Sequence, residues 1–134
     1  ENMKEIRESY SQGRDVVLIG YSMGCKETAN NVLLCAAEGI PIKEVDLYDP
    51  TFTNGEVFTV PGDIKTRVYL SSAKLDPLAG ARGNPANITG NNVSIIVLDG
   101  PHANFVTWNN IRGGMAEFLT QGSDGNVALN YDAD

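Results

Sequence analysis

Histidine occurs once in this chain, at His102, and tryptophan once, at Trp108. With a single imidazole, any histidine-based chemistry contained in the chain must use that one residue, and no multi-histidine metal cage can be built from it. Cysteine occurs only at Cys25 and Cys35, both in a stretch with helical periodicity. Ten residues of helix span roughly 15 Å, about twice what a disulfide tolerates. The two are therefore expected to be free thiols serving as small buried apolar residues. Free thiols lean towards a reducing compartment such as the cytoplasm, although Asn87-Ile88-Thr89 and Asn92-Val93-Ser94 are formal glycosylation sequons that point the other way. No apolar run approaches the ~18 residues of a membrane span. Basic residues are few, 10 against 17 acidic, for a net charge of -7. They are scattered rather than gathered in a stripe, so phosphate backbones are repelled and nucleic acid is not an expected partner. There is no phosphate-loop lysine and no dinucleotide fingerprint, which argues against a flavodoxin-like or nucleotide-binding reading. The sequence shows no initiator Met and no signal peptide, and reads as a piece of something longer.

What is present is the composition of a soluble globular domain, 42% hydrophobic and 20% charged, with no internal repeat or linker to divide residues 1–134. Residues 1–10 place Met3, Ile6 and Tyr10 on one face of a helix that a polar turn at 11–15 stops. Residues 16–20 form a continuous apolar run, the pattern of a strand buried on both faces of a parallel sheet. Residues 22–38 repeat Cys25, Ala29, Val32 and Cys35 at helical steps, and Gly39 and Pro41 end that helix. Residues 42–48 give an imperfect second strand, 66–71 a third and 93–98 a fourth. Residues 51–64 read as a loop with a short extended segment at 57–60. Residues 76–92 read as a Gly-, Asn- and Pro-rich connection with helical potential only at 77–82. Residues 104–119 carry Phe105, Trp108, Ile111, Met115, Phe118 and Leu119 on one helical stripe, and 121–134 is an acidic tail. The pattern predicts an α/β fold, a mainly parallel sheet of about four strands with flanking helices.

Open α/β sheets place their sites at the carboxyl ends of strands, and the chemistry-bearing residues fall there. Gly20-Tyr21-Ser22-Met23-Gly24 follows the first strand and opens the next helix. A chain of this length contains the bare Gly-x-Ser-x-Gly pattern by chance roughly one time in ten or twenty, but the strand before and helix after give it the setting of a nucleophile elbow. Asp76 follows the third strand and His102 the fourth. In a Ser-His-Asp set the imidazole takes the serine proton, the carboxylate fixes the tautomer, and a backbone N–H at the helix start, here that of Met23, faces the developing oxyanion. The bland alternatives are a turn serine, an Asp-Pro turn or helix cap at Asp76, and a structural histidine. Asp49, in Asp49-Pro50 after the second strand, is a direct rival for the acid.

These three segments resemble the second half of an α/β-hydrolase, the family of esterases, lipases and thioesterases. The likeness covers about residues 1–119 and implies a truncated or minimal hydrolase-like fold. It implies Ser22 as nucleophile, Asp76 as acid and His102 as base, hydrolysing a small-molecule or polymer-borne ester or thioester through an acyl-enzyme, with no metal or cofactor. It also implies strands before the elbow, and a loop giving the second oxyanion donor, that the chain does not contain. The strand at 16–19 would then be a bare apolar edge for an upstream segment or a partner chain to cover. A non-catalytic hydrolase-like binding or structural module is the competing expectation.

Overall fold

Continuous apolar runs and one strong helical period account for the backbone. The structure, a computed structural model, describes residues 2–21, 24–50, 56–71 and 87–98 of the 134. In chain order the elements are α1 (Asn2–Ser11), β1 (Val17–Tyr21), α2 (Gly24–Glu38), β2 (Glu44–Tyr48), β3 (Phe58–Thr59), β4 (Thr66–Ser71), β5 (Ile88–Thr89) and β6 (Val93–Leu98). The expected elements at 77–82, 104–119 and 121–134 lie outside the described residues.

β1, β2, β4 and β6 form one four-stranded sheet in that order, every neighbouring pair parallel. With flanking helices this is the expected small α/β fold. A second, two-stranded parallel sheet joins β3 to β5. The extended segment expected near 57–60 is thus β3. Its partner β5 was not expected, being two residues long within the Gly- and Asn-rich connection.

The register sorts the main sheet into two faces. Leu18, Val45, Leu47, Val68 and Leu70 share one core cluster with Met3 and Ile6 of α1 and Cys25, Ala29, Val32 and Cys35 of α2, so both helices cover the same face. Burying each such aliphatic side chain contributes roughly 1.5–3 kcal/mol, and all five residues of β1 are buried. Each helix stops at a left-handed glycine. At the end of α2, Gly39 has φ 72°, and the Ile40 N–H bonds back to the Cys35 carbonyl at 2.9 Å, satisfying a carbonyl the helix leaves open. At the same end of α2, Arg7 of α1 donates two 2.8 Å hydrogen bonds to Glu38. This holds Glu38 below its ordinary carboxylate value.

The opposite face carries Val17, Ile19 and Tyr21 of β1, Glu44, Asp46 and Tyr48 of β2, and Arg67 and Tyr69 of β4. The irregular alternation of residues 42–48 does not yield an exposed face, because all five residues of β2 are buried. The charges survive burial because register sets Asp46 beside Arg67. Arg67 donates to Asp46 at 3.1 and 3.2 Å and to Glu44 at 2.5 Å, and Lys65 reaches Glu44 at 3.1 Å.

Candidate active site

The first motif glycine is fixed by packing. A Cβ on Gly20 would run into Thr28 Oγ1 and stand 3.1 Å from the Cys25 Cα, so α2 rests on β1 at a separation that no side chain at position 20 allows. Thr28 is held in place by its own bond to the Gly24 carbonyl at 3.1 Å, and Gly24 itself is buried as the first residue of α2. β1 ends at Tyr21 and α2 begins at Gly24, which leaves Ser22 and Met23 to join strand to helix. Ser22 and Met23 lie outside the described residues, as do Asp76 and His102. Their mutual geometry is therefore not part of the observed site.

Asp49 is described. It follows β2, is completely buried, and adopts a left-handed backbone with φ 49°, a region in which aspartate is one of the few tolerated residues. Its N–H donates to the Tyr69 carbonyl at 2.6 Å. One residue earlier, the Tyr48 carbonyl lies 3.8 Å from the Cys25 Sγ, a weak thiol contact that ties the first turn of α2 to the end of β2. The carboxyl end of β2 is thus tied to α2 on one side and to β4 on the other.

Sequence reasoning missed two features here. Tyr21, Tyr48 and Tyr69 are register partners across β1, β2 and β4, with the Tyr48 and Tyr69 rings stacked at 4.7 Å and 6° and the Arg67 guanidinium 5.7 Å from the Tyr69 ring centre. The signal was available, since each of the three strands carries a tyrosine at or near its end. The second is the opposite shifts of the buried carboxyl pair. Burial and hydrogen bonding to Glu44 push Asp46 up to about 7, against the opposing pull of Arg67. Burial also works to raise Glu44, but hydrogen bonding to Asp46 and Lys65 and the Arg67 charge outweigh it and hold Glu44 below its ordinary value. Of the two, Asp46 is the carboxyl whose hold on a proton is strengthened.

Both cysteines are free and buried, as expected. Burial and the neighbouring Glu38 charge push the Cys35 thiol up to about 11, which removes it as a thiolate nucleophile at neutral pH. Among the described residues no group of three or more His, Cys, Asp or Glu is arranged to hold a metal ion, and no helix is long and apolar enough to cross a membrane.

No family model, curated protein or solved structure matches this chain. The functional reading therefore rests on the residues and the sheet alone.

Proposed function

We propose that the chain is a serine hydrolase of the α/β-hydrolase type that cleaves a carboxylic ester or thioester, with Ser22 as nucleophile, His102 as base and Asp76 as acid. The observation that carries it is the enforced closeness of β1 and α2 at Gly20. A two-residue connection under that constraint is what the turn of a nucleophile elbow requires. The Met23 N–H, beside the start of α2, would gain from the helix dipole in facing an oxyanion.

Asp76 is preferred over Asp49 as the acid. An imidazole bridging serine and carboxylate through two hydrogen bonds of about 2.8 Å sets those groups about 7 Å apart. Parallel strands are spaced at about 4.8 Å, so that separation lies between one spacing and two and does not choose between the ends of β2 and β4; Asp76 is preferred because its place after the third strand of the sheet matches the hydrolase pattern. A fluorophosphonate probe is expected to label the intact chain at Ser22 and to leave Ser22→Ala unlabelled. An unlabelled, folded wild-type chain would rule the proposal out.

The competing reading, a non-catalytic module within a larger assembly, draws on one observation. Among the described residues β1 has a ladder partner only in β2, and it is apolar along most of its length. We infer that a further strand, from preceding polypeptide or from another chain, lies along β1 in the working protein. All five residues of β1 are buried within the chain even so, so in the 134-residue chain alone the β1 amides that do not bond to β2 are expected to exchange with solvent hydrogen faster than those of β4. Protection matching that of β4 would show the edge already covered.

A further inference from the structure

Tyr10 continues the spacing of Met3 and Ile6 along α1, yet those two are buried and Tyr10 is 44% exposed. It borders a cleft of about 280 Å³ at the amino ends of β1 and β2, the opposite end of the sheet from Gly20 and Asp49. Val16 and Ile42, both buried, and Pro41 complete the apolar lining. The backbone on either side is fixed. Gly13, with φ 77°, ends α1; its N–H bonds to the Tyr10 carbonyl at 2.9 Å and the Arg14 N–H to the Ser9 carbonyl at 3.0 Å, the paired closure that sets Tyr10 and Arg14 on one turn. From the side of β2, the Lys43 N–H bonds to the Val16 carbonyl at 2.8 Å. Arg14, Asp15 and Lys43 also belong to the lining. Lys43 is paired with Asp15 at 3.3 Å, whereas the Arg14 side chain has no partner among the described residues. The cleft therefore holds one uncompensated positive charge in a chain whose net charge is -7.

We propose that this cleft binds a small aromatic monocarboxylate, its ring against Tyr10, Val16, Pro41 and Ile42 and its carboxylate on Arg14; the proposal does not rest on the hydrolase reading. Small-molecule clefts are mostly apolar with a few placed polar groups, which is the make-up of this lining. An enclosed apolar cavity of about 150 Å³ admits benzene, so the space here suits one ring or two fused ones. A guanidinium takes a carboxylate through two parallel hydrogen bonds, so shape as well as charge specifies the anion. One uncompensated cation matches a single negative charge, whereas a polyphosphate would bring several against the acidic field of the chain. The closed turn at Gly13 holds Tyr10 and Arg14 in place before the ligand arrives, which lowers the ordering cost of binding.

The test titrates the isotope-labelled chain with 2-naphthoate and with its uncharged analogue 2-naphthamide, following amide resonances by nuclear magnetic resonance. The acid is expected to shift Gly13, Arg14, Val16 and Lys43 and to leave Gly20 and Asp49 in place. The amide should bind about tenfold more weakly, because it forfeits the charge-assisted pair. Arg14→Gln should bring 2-naphthoate down to the affinity of 2-naphthamide, and Tyr10→Ala should weaken both ligands by a similar factor. Both side chains are exposed, so neither variant opens the core. Equal affinity for acid and amide, unchanged binding of the acid in either variant, or shifts confined to residues outside the cleft overturns the proposal.

Discussion

Arg67→Met is expected to destabilise the fold by about 3–5 kcal/mol at pH 8, the usual consequence of removing one partner from a buried ion group. At pH 5 it should cost distinctly less. The guanidinium is the shared donor to Asp46 and Glu44, whose side chains are 1% and 4% exposed, and methionine fills the volume while leaving the carboxyl groups facing each other without it. The pH dependence follows from Asp46. Its carboxyl keeps a proton up to about pH 7 in the folded chain against an ordinary value of 3.8, so the folded state binds the proton more tightly than the unfolded state. Wild-type stability therefore falls as pH rises from about 4 to 7 and levels off above. Glu44, held low, has the opposite sign, and its contribution is lost only as pH falls below the ordinary glutamate range. In the variant at pH 5 the Glu44 anion remains with Lys65 as its counter-charge; at pH 8 the Asp46 charge is added with the guanidinium gone. Thermal melts of both proteins at the two pH values measure this, and a difference in melting temperature that is the same at pH 5 and 8 would mean the carboxyl pair does not hold the proton.

Gly20→Ala tests the elbow without touching a chemical group. The added Cβ meets Thr28 Oγ1 and the Cys25 Cα, and the latter is backbone, so relief requires α2 to move away from β1. Overpacking of this kind costs about 1–3 kcal/mol. The larger effect is expected on function, because a shift of about 1 Å in a nucleophile's setting lowers reaction rates roughly a hundredfold. Fluorophosphonate labelling of Ser22 should slow by about that factor, and Gly20→Ala/Thr28→Ala should recover part of the lost stability by removing the side-chain half of the clash. Labelling at the wild-type rate in Gly20→Ala would show that helix and strand need not meet so closely for the serine to react.

The elements easiest to read in the sequence were those whose environment is uniform. β1 is an apolar run buried along its whole length, and α2 buries Cys25, Ala29, Val32 and Cys35 at helical intervals, so one-dimensional pattern and three-dimensional environment coincide. β5 failed because two residues carry no period, and Ile88-Thr89 owes its extended form to β3. The Glu44, Asp46 and Arg67 group failed for a different reason. Nothing local to residues 44–46 announces that their counter-charge sits in β4, since it is register that joins them. Of the candidate site, Gly20 was legible as a motif letter, but its reason, the approach of Thr28, belongs to the tertiary packing. Asp49 was legible as a carboxylate after a strand, whereas its complete burial and left-handed backbone emerge only when β4 closes against β2.

The uniformly parallel main sheet has a kinetic consequence. A parallel neighbour cannot be reached by a tight turn, and here each ladder joins residues more than twenty positions apart in the chain. Every pairing therefore closes a long loop before its hydrogen bonds reward it, and chains dominated by such contacts cross their barriers slowly. While β2 is still finding its register, the Val17–Tyr21 strand waits with its apolar residues uncovered. The stretch that leads into Gly20 and the start of α2 is also the segment most open to mispairing during folding, and any covering strand would act first as a guard for the nascent chain.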